Sequence, residues 1–315
     1  MNMNEVIMHR YEGNPIIKPS DFKDGYATFN TAQIKKDGKY ILLLPVQKMN
    51  EQTPAIYYCE SKDGINFTIS DEPVITKSKK YPQLDNWPID PRLSYIPEDD
   101  MYYLIRPMNS SWGTTSLLMK SKDLKNWDEI CIAALPPNRV PCLFNGKING
   151  KYARLERPNK ELSGGAGGNI WISYSDDLIH WGEYQPLLKG YTNWADTKIG
   201  PTPPIKTKYG WLEIFHGVKI NRYSLGAVLL DLNDPSKVIA KMKSPILTPN
   251  APYEYNGHVP PTVFACGAIV EEEKDEIRIY YGACDCCIGL ATGSLSELIE
   301  TMMYEDKTYD DWKWS

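Results

Sequence analysis

The chain has no run of about 18 apolar residues, so no segment is expected to cross a membrane as a helix. Its first residues, MNMNEVIMHRYEGNP, lack a basic segment followed by an apolar core, so no secretory signal is visible. It has no basic stripe. The net charge is −5, which argues against a nucleic-acid partner. It has no cysteine-pairing framework either. Seven Cys is an odd number, and four of them (Cys59, Cys131, Cys142, Cys266) are scattered. That usage points to free thiols in a reducing cytoplasm. Cys284, Cys286 and Cys287 cluster, but the second spaced pair of a closed zinc site is missing, so no metal is expected. Read as strand, the cluster puts Cys284 and Cys286 on one face and Cys287 on the other. No domain boundary stands out across residues 1–315. ELSGGAGGN (Glu161 to Asn169) is too short for a linker and reads as a rim loop.

What the chain does have is repetition. A tight turn followed by an aromatic or aliphatic strand recurs about every 50 to 65 residues. The copies are DGKYILLLPVQ from Asp37, DDMYYLIRP from Asp99, NGKYARLERP from Asn149, YGWLEIFHG from Tyr209 and DEIRIYYGACD from Asp275. A second motif keeps phase with the first: SKDGINF from Ser61, SKDLKNW from Ser121 and SDDLIHW from Ser175. Each is a polar turn closed by an aromatic anchor. Weaker copies are LDLNDPSKV near Asp231 and ATGSLSEL near Gly293. Two motifs in phase predict an all-β fold, a five-bladed β-propeller of four-stranded blades in a single domain. SLSELIETMM predicts a short C-terminal helix capped by Ser294 or Ser296, followed by a charged aromatic tail.

In a propeller the blades converge on an axis, and that is where function is expected. The segment before each hairpin carries a polar residue near its start: Asn30, Asp90, Arg139, Lys198 and His258. The second strands return with Arg106, Arg157, His216 and Asp285 near their ends, at the same mouth. Pro91 is expected to hold Asp90 in an extended backbone, with Arg92 pointing away. One acid among several cations favours an anionic co-substrate, since guanidinium binds phosphate through paired donors. A glycosidase needs an acid plus a base or nucleophile. A phosphorylase needs only the acid. Glu156 and Glu213 are the candidate bases for a hydrolase, and strand alternation disfavours both. The 21 Tyr and 9 Trp suit both strand packing and sugar stacking. Tyr26, Trp87, Tyr103, Trp112 and Trp194 are the stacking candidates.

The chain resembles glycoside hydrolase family 130, the inverting β-mannoside phosphorylases and related β-mannosidases. The resemblance is carried by RYEGNPIIKPSD (Arg10 to Asp21), ATFNTA (Ala27 to Ala32), IDPRLSYI (Ile89 to Ile96), NGKYARLERP, TKIGPTPPIKTKYGWLEIFHGV (Thr197 to Val218) and VFACGAIV with YYGACDCCIGLAT. It implies a five-bladed propeller with Asp90 as general acid, acting through the 3-hydroxyl of the mannosyl unit. It puts Arg139, Arg157 and His216 on phosphate-binding positions with Lys198 beside them. It puts Asn30 and Asp285 on positions that hold the mannosyl unit, and His258 joins them as a substrate-binding candidate. The implied partners are a β-mannoside oligosaccharide and inorganic phosphate as co-substrate, with no cofactor. Pro45, Val140 and Asn145-Gly146 depart from the common pattern and leave linkage and acceptor open. A hydrolase of the same family and a non-catalytic glycan-binding propeller are the alternatives. Oligomeric state stays open, a homo-oligomer included.

Overall fold

The computed structural model describes residues 7–158, 168–190 and 193–307. It contains five antiparallel sheets, one per predicted blade, followed by one helix. Blade 1 has an inner strand in two pieces, Gly25–Thr28 and Ala32–Lys36, then Lys39–Lys48, Ala55–Ser61 and Thr68–Ile69. Blade 2 runs Arg92–Ile96, Met101–Ser110, Gly113–Ser121 and Asp128–Ala134. Blade 3 runs Cys142–Leu143, Tyr152–Glu156, Ile170–Ser175 and Gly182–Leu188. Blade 4 again splits its inner strand, Lys198–Pro201 and Ile205–Thr207, before Gly210–Lys219, Arg222–Leu230 and Val238–Lys241. Blade 5 uses Val263–Phe264 and Ile269–Glu271, Glu276–Ala283 and Cys287–Ser294.

The outer strand of blade 5 comes from the other end of the chain. His9–Arg10 pairs with Cys287–Ser294, His9 opposite Thr292 and Arg10 opposite Ala291. Arg10 donates from Nε and Nη2 to the two oxygens of Glu254, both at 2.8 Å. Glu254 is fully buried and also accepts from the Tyr281 hydroxyl at 2.8 Å. The charge-assisted fork fixes the closing strand in one register.

The acidic turns lie after each third strand, as the repeat predicts. Asp63, Asp123 and Asp177 each accept two backbone N–H bonds of 2.7–2.9 Å through Oδ1. These bonds, together with side-chain bonds that for Asp63 are led by Asn66, hold all three carboxyls well below the usual carboxylate range. Ser61, Ser121 and Ser175 accept the N–H three residues on, which turns the chain through a left-handed residue: Gly64, Leu124 or Leu178. Trp127 and Trp181 then close the turn onto the Leu124 and Leu178 carbonyls.

Between blades the core is layered. Leu42, Leu44 and Tyr57 of blade 1 pack with Tyr280, Ile288 and Leu290 of blade 5. Each such buried aliphatic side chain contributes about 1.5–3 kcal/mol. The helix Leu295–Lys307 covers the outside of blades 4 and 5 through Leu295, Leu298, Ile299 and Met302. Ser294 is its cap, accepting from the Glu297 N–H at 3.1 Å. The loop expected at Glu161 to Asn169, apart from its last two residues, and the charged tail after the helix lie outside the described residues. No helix among the described residues is long and apolar enough to cross a membrane.

Candidate active site

A cavity of about 300 Å³ opens at one end of the axis. Asn30, Asp90, Arg139, Arg157, Lys198, His216 and Asp285 all line it. Fold repetition alone brings them together, since they come from all five blades. Asn30 sits in the break of blade 1's inner strand, and Asp90 and Arg139 sit just before the inner strands of blades 2 and 3. Lys198 begins that of blade 4. Arg157 and His216 lie at the axial ends of second strands.

The acid end is a tight polar knot. Asn30 Nδ2 donates to Asp90 Oδ1 at 2.7 Å and more weakly to Asp285 Oδ1 at 3.4 Å. Arg139 Nη2 donates to Asp90 Oδ2 at 3.2 Å, while its Nη1 is held by Asn109 Oδ1 at 3.0 Å. Burial first, then the Asp90 charge, push the Asp285 carboxyl up to about 6. Gly282 makes room for this knot: a Cβ there would lie 2.0 Å from Asn30 Oδ1.

The cationic end is barely neutralised. Arg157 is buried, and among the described residues it makes no ion pair. Burial, then the charges of Arg139 and Arg92, lower its pKa to about 10, so it stays cationic at neutral pH. Lys198 Nζ stands 5.2 Å from the centre of the Tyr223 ring. His216 stacks on Phe264 with centroids 4.2 Å apart. Burial, then Arg157, Arg92, Lys198 and Arg139, hold its imidazole well below the usual histidine range. His216 therefore enters as a neutral hydrogen-bonding group rather than as a further cation. Gly200 admits it, because a Cβ there would come within 2.3 Å of the ring.

Several expectations are corrected. Asp90 is not extended: its φ is 52°, in the left-handed region. Such a residue stores strain that its surroundings must hold. Arg92 supplies part of that hold. It does not point away but turns back, donating from Nη1 to the Asp90 carbonyl at 2.5 Å. Arg106 is not at the mouth, since it is buried against Asp85 with bonds of 2.6 and 2.9 Å. His258 is exposed on the rim and does not line the cavity, because the loop holding it continues to residue 262 before the inner strand starts. Cys284 and Asp285 are not in a strand. Both have left-handed backbones, in the turn between Glu276–Ala283 and Cys287–Ser294. Trp87, Tyr103 and Trp194 are packing residues, against Phe29, Tyr152 and Phe215.

Thr114, Tyr223, Val259, Thr262 and Phe264 also line the cavity and were not foreseen. Tyr223 had a signal. It follows the hairpin turn at Ile220 and Asn221 and pairs with Val218, at the same end as His216. Glu156 is consumed by Arg154, Asn138 and Ser173. Glu213 is buried, accepts the Thr202 N–H, and is pushed well above the carboxylate range by that burial. Neither reaches the cavity. Among the described residues no three His, Cys, Asp or Glu side chains converge as a metal site.

A family model described as beta-1,4-mannooligosaccharide phosphorylase matches residues 7–304. The chain belongs to glycoside hydrolase family 130. It is 37% identical over 310 residues to a 1,2-beta-oligomannan phosphorylase of Thermoanaerobacter sp. (strain X514), covering 93% of this chain and 99% of that one. It is 40% identical over 304 residues to a beta-1,2-mannobiose phosphorylase of the same organism, covering 90% and 95%. The beta-1,2-mannobiose phosphorylase of Listeria innocua, solved with β-1,2-mannobiose, superposes with a TM-score of 0.85 at 29% identity, covering 96% of this chain and all of that one.

Proposed function

We propose that this family 130 protein is an inverting phosphorylase that cleaves a β-1,2-mannosidic bond with inorganic phosphate. The reaction class is supported by the cavity and by its relatives' activities. Both Thermoanaerobacter relatives and the Listeria structure are named for β-1,2 linkages, which favours that linkage over β-1,4.

The observation that carries the reading is charge without a base. Arg139, Arg157 and Lys198 bring three cations to the cavity, Arg139 paired with Asp90, with His216 as a neutral donor or acceptor. Glu156 and Glu213 are both out of reach. A dianion suits these cations; the two carboxylates that line the cavity, Asp90 and Asp285, both accept from Asn30 and are assigned to the mannosyl unit rather than to a water nucleophile. The mannosyl unit then lies on Asn30, Asp90 and Asp285. Asp90 gives its proton, through the mannosyl 3-hydroxyl, to the glycosidic oxygen. A phosphate oxygen forms its bond to the anomeric carbon from the opposite face as the C–O bond to the acceptor breaks. The products are α-mannose 1-phosphate and the shortened acceptor. Phosphate is a co-substrate in this scheme and no cofactor takes part. The cytoplasm suits it, because all seven cysteines are free thiols.

The test is to incubate the protein with β-1,2-mannobiose with and without phosphate. Formation of α-mannose 1-phosphate, only with phosphate, is expected. Mannose release at the same rate in phosphate-free buffer would establish a hydrolase, and no turnover with retained binding a glycan-binding propeller.

A further inference from the structure

We propose that Tyr26 and His258 form a stacking platform on the rim of the cavity for a pyranose ring on the acceptor side of the bond. This rests on the reading of the cavity as a β-mannoside site. Tyr26 is the extra residue of a β-bulge: Gly25 pairs with Lys48 and Ala27 with Gln47, leaving Tyr26 without a counterpart. A bulge re-aims the side chain it carries. Tyr26 is 54% exposed although Ala27 and Thr28 beside it are fully buried. Its ring centre lies 5.0 Å from that of His258, with the planes at 47°.

Both residues are anchored to the turn that carries Asp285. Two residues after Tyr26, Thr28 donates to the Cys286 carbonyl from its N–H at 3.2 Å and from Oγ1 at 2.9 Å. On the other side, the His258 N–H donates to the Cys284 carbonyl at 2.7 Å. Val259, the next residue, lines the cavity. The pair therefore brackets the Asp285 turn just outside the cavity. Neither ring joins a hydrophobic core cluster among the described residues.

The position selects the ligand. Asn30 of blade 1 and Asp285 of blade 5 hold the sugar half, and the platform stands between these same two blades. The cationic half belongs to blades 3 and 4. The transferred mannosyl unit is terminal and lies deepest, so the remaining saccharide leaves through the mouth past Tyr26 and His258. An aromatic face with a polar tip suits a pyranose, which presents C–H bonds on its face and hydroxyls at its edge.

The synthetic direction separates the two substrates, with α-mannose 1-phosphate as donor and β-1,2-mannobiose as acceptor. For Tyr26→Ala and for the Tyr26→Ala/His258→Ala pair, the acceptor KM should rise about three- to tenfold. The KM for α-mannose 1-phosphate should not move, and Tyr26→Trp should restore acceptor affinity. An unchanged acceptor KM, or an equal rise for both substrates, would overturn the platform. If the unaltered protein makes no product from α-mannose 1-phosphate, phosphorolysis fails and the platform is judged by calorimetry with β-1,2-mannotriose. Weaker binding by Tyr26→Ala, again about three- to tenfold, would uphold it. Equal binding, or none by the unaltered protein, would overturn it.

Discussion

Blades 2 and 3 each bring a buried arginine toward the axial end of the second strand, and they treat it in opposite ways. Arg106 is closed by Asp85 in a bidentate pair with both side chains fully buried. Arg157 is also buried and, among the described residues, has no carboxylate partner. The same contrast divides the acids. Asp85 is spent on one guanidinium and also accepts the Ser78 N–H, whereas Asp90 faces a cavity with a strained backbone. A buried charge without a partner is costly to folding. Its presence at one mouth of the axis is what the proposed anionic co-substrate would offset. Identical residue types thus close on each other in one case and line the cavity in the other, and the partner makes the difference.

The largest effect expected is from Asp90→Asn, which keeps shape but removes the transferable proton. Turnover should drop by about 10²- to 10⁴-fold with little change in melting temperature. Near-normal activity on an unactivated mannoside would place the acid elsewhere. Asp85→Asn should do the reverse. It strands Arg106 and should lower unfolding stability by about 3–5 kcal/mol in urea titrations, while the folded fraction keeps its turnover. If Asp85→Asn spares stability and abolishes turnover, the division between the two blades is wrong. Arg157→Ala should raise the phosphate KM by about ten- to a hundredfold, the loss of a charge-assisted contact of about 1.5–3 kcal/mol. The mannoside KM should change far less, and equal losses would make Arg157 structural.

The smallest effect is on stability and carries a sign. Asp285 titrates at about 6 in the fold because burial and then Asp90 oppose its charge. An unfolded aspartate titrates near about 3.9, so as pH rises the unfolded chain releases this proton first. The folded state loses ground between about pH 4 and 6 and does not regain it above. Asp285→Asn should therefore stabilise at pH 7.5 by on the order of 2–3 kcal/mol and have no such effect at pH 4. A melting temperature that rises equally at both pH values would remove the titration from the explanation.

The propeller was legible because its turns are local. Ser61, Asp63 and their copies make bonds within three residues, so a short motif encodes each one, and five strand repeats count the blades. The cavity followed from blade symmetry, which placed Asn30, Asp90, Arg139, Arg157, Lys198, His216 and Asp285 together without any contact being visible. What failed was long-range or conformational. Arg106 looked like Arg157 until Asp85, 21 positions earlier, closed on it. The left-handed backbone of Asp90 runs against the usual preference before proline and is held by Arg92 and the surrounding knot. His258 belongs to a loop whose length hid the true start of the inner strand. Thr114 and Tyr223 flank hairpin turns at the mouth, where register rather than residue type decides what reaches the cavity.

The ring is closed by a pairing between strands far apart in sequence, Arg10 opposite Ala291 and His9 opposite Thr292. His9–Arg10 can pair only once Cys287–Ser294 is in place. Blades 1 to 4 can assemble in order as they emerge, but blade 5 has no outer strand until both ends meet. Contacts so distant in sequence close slowly. Asp285 lies in that blade, in the turn leading into the strand that receives His9–Arg10. A nascent or truncated chain can thus hold four blades and still lack the site.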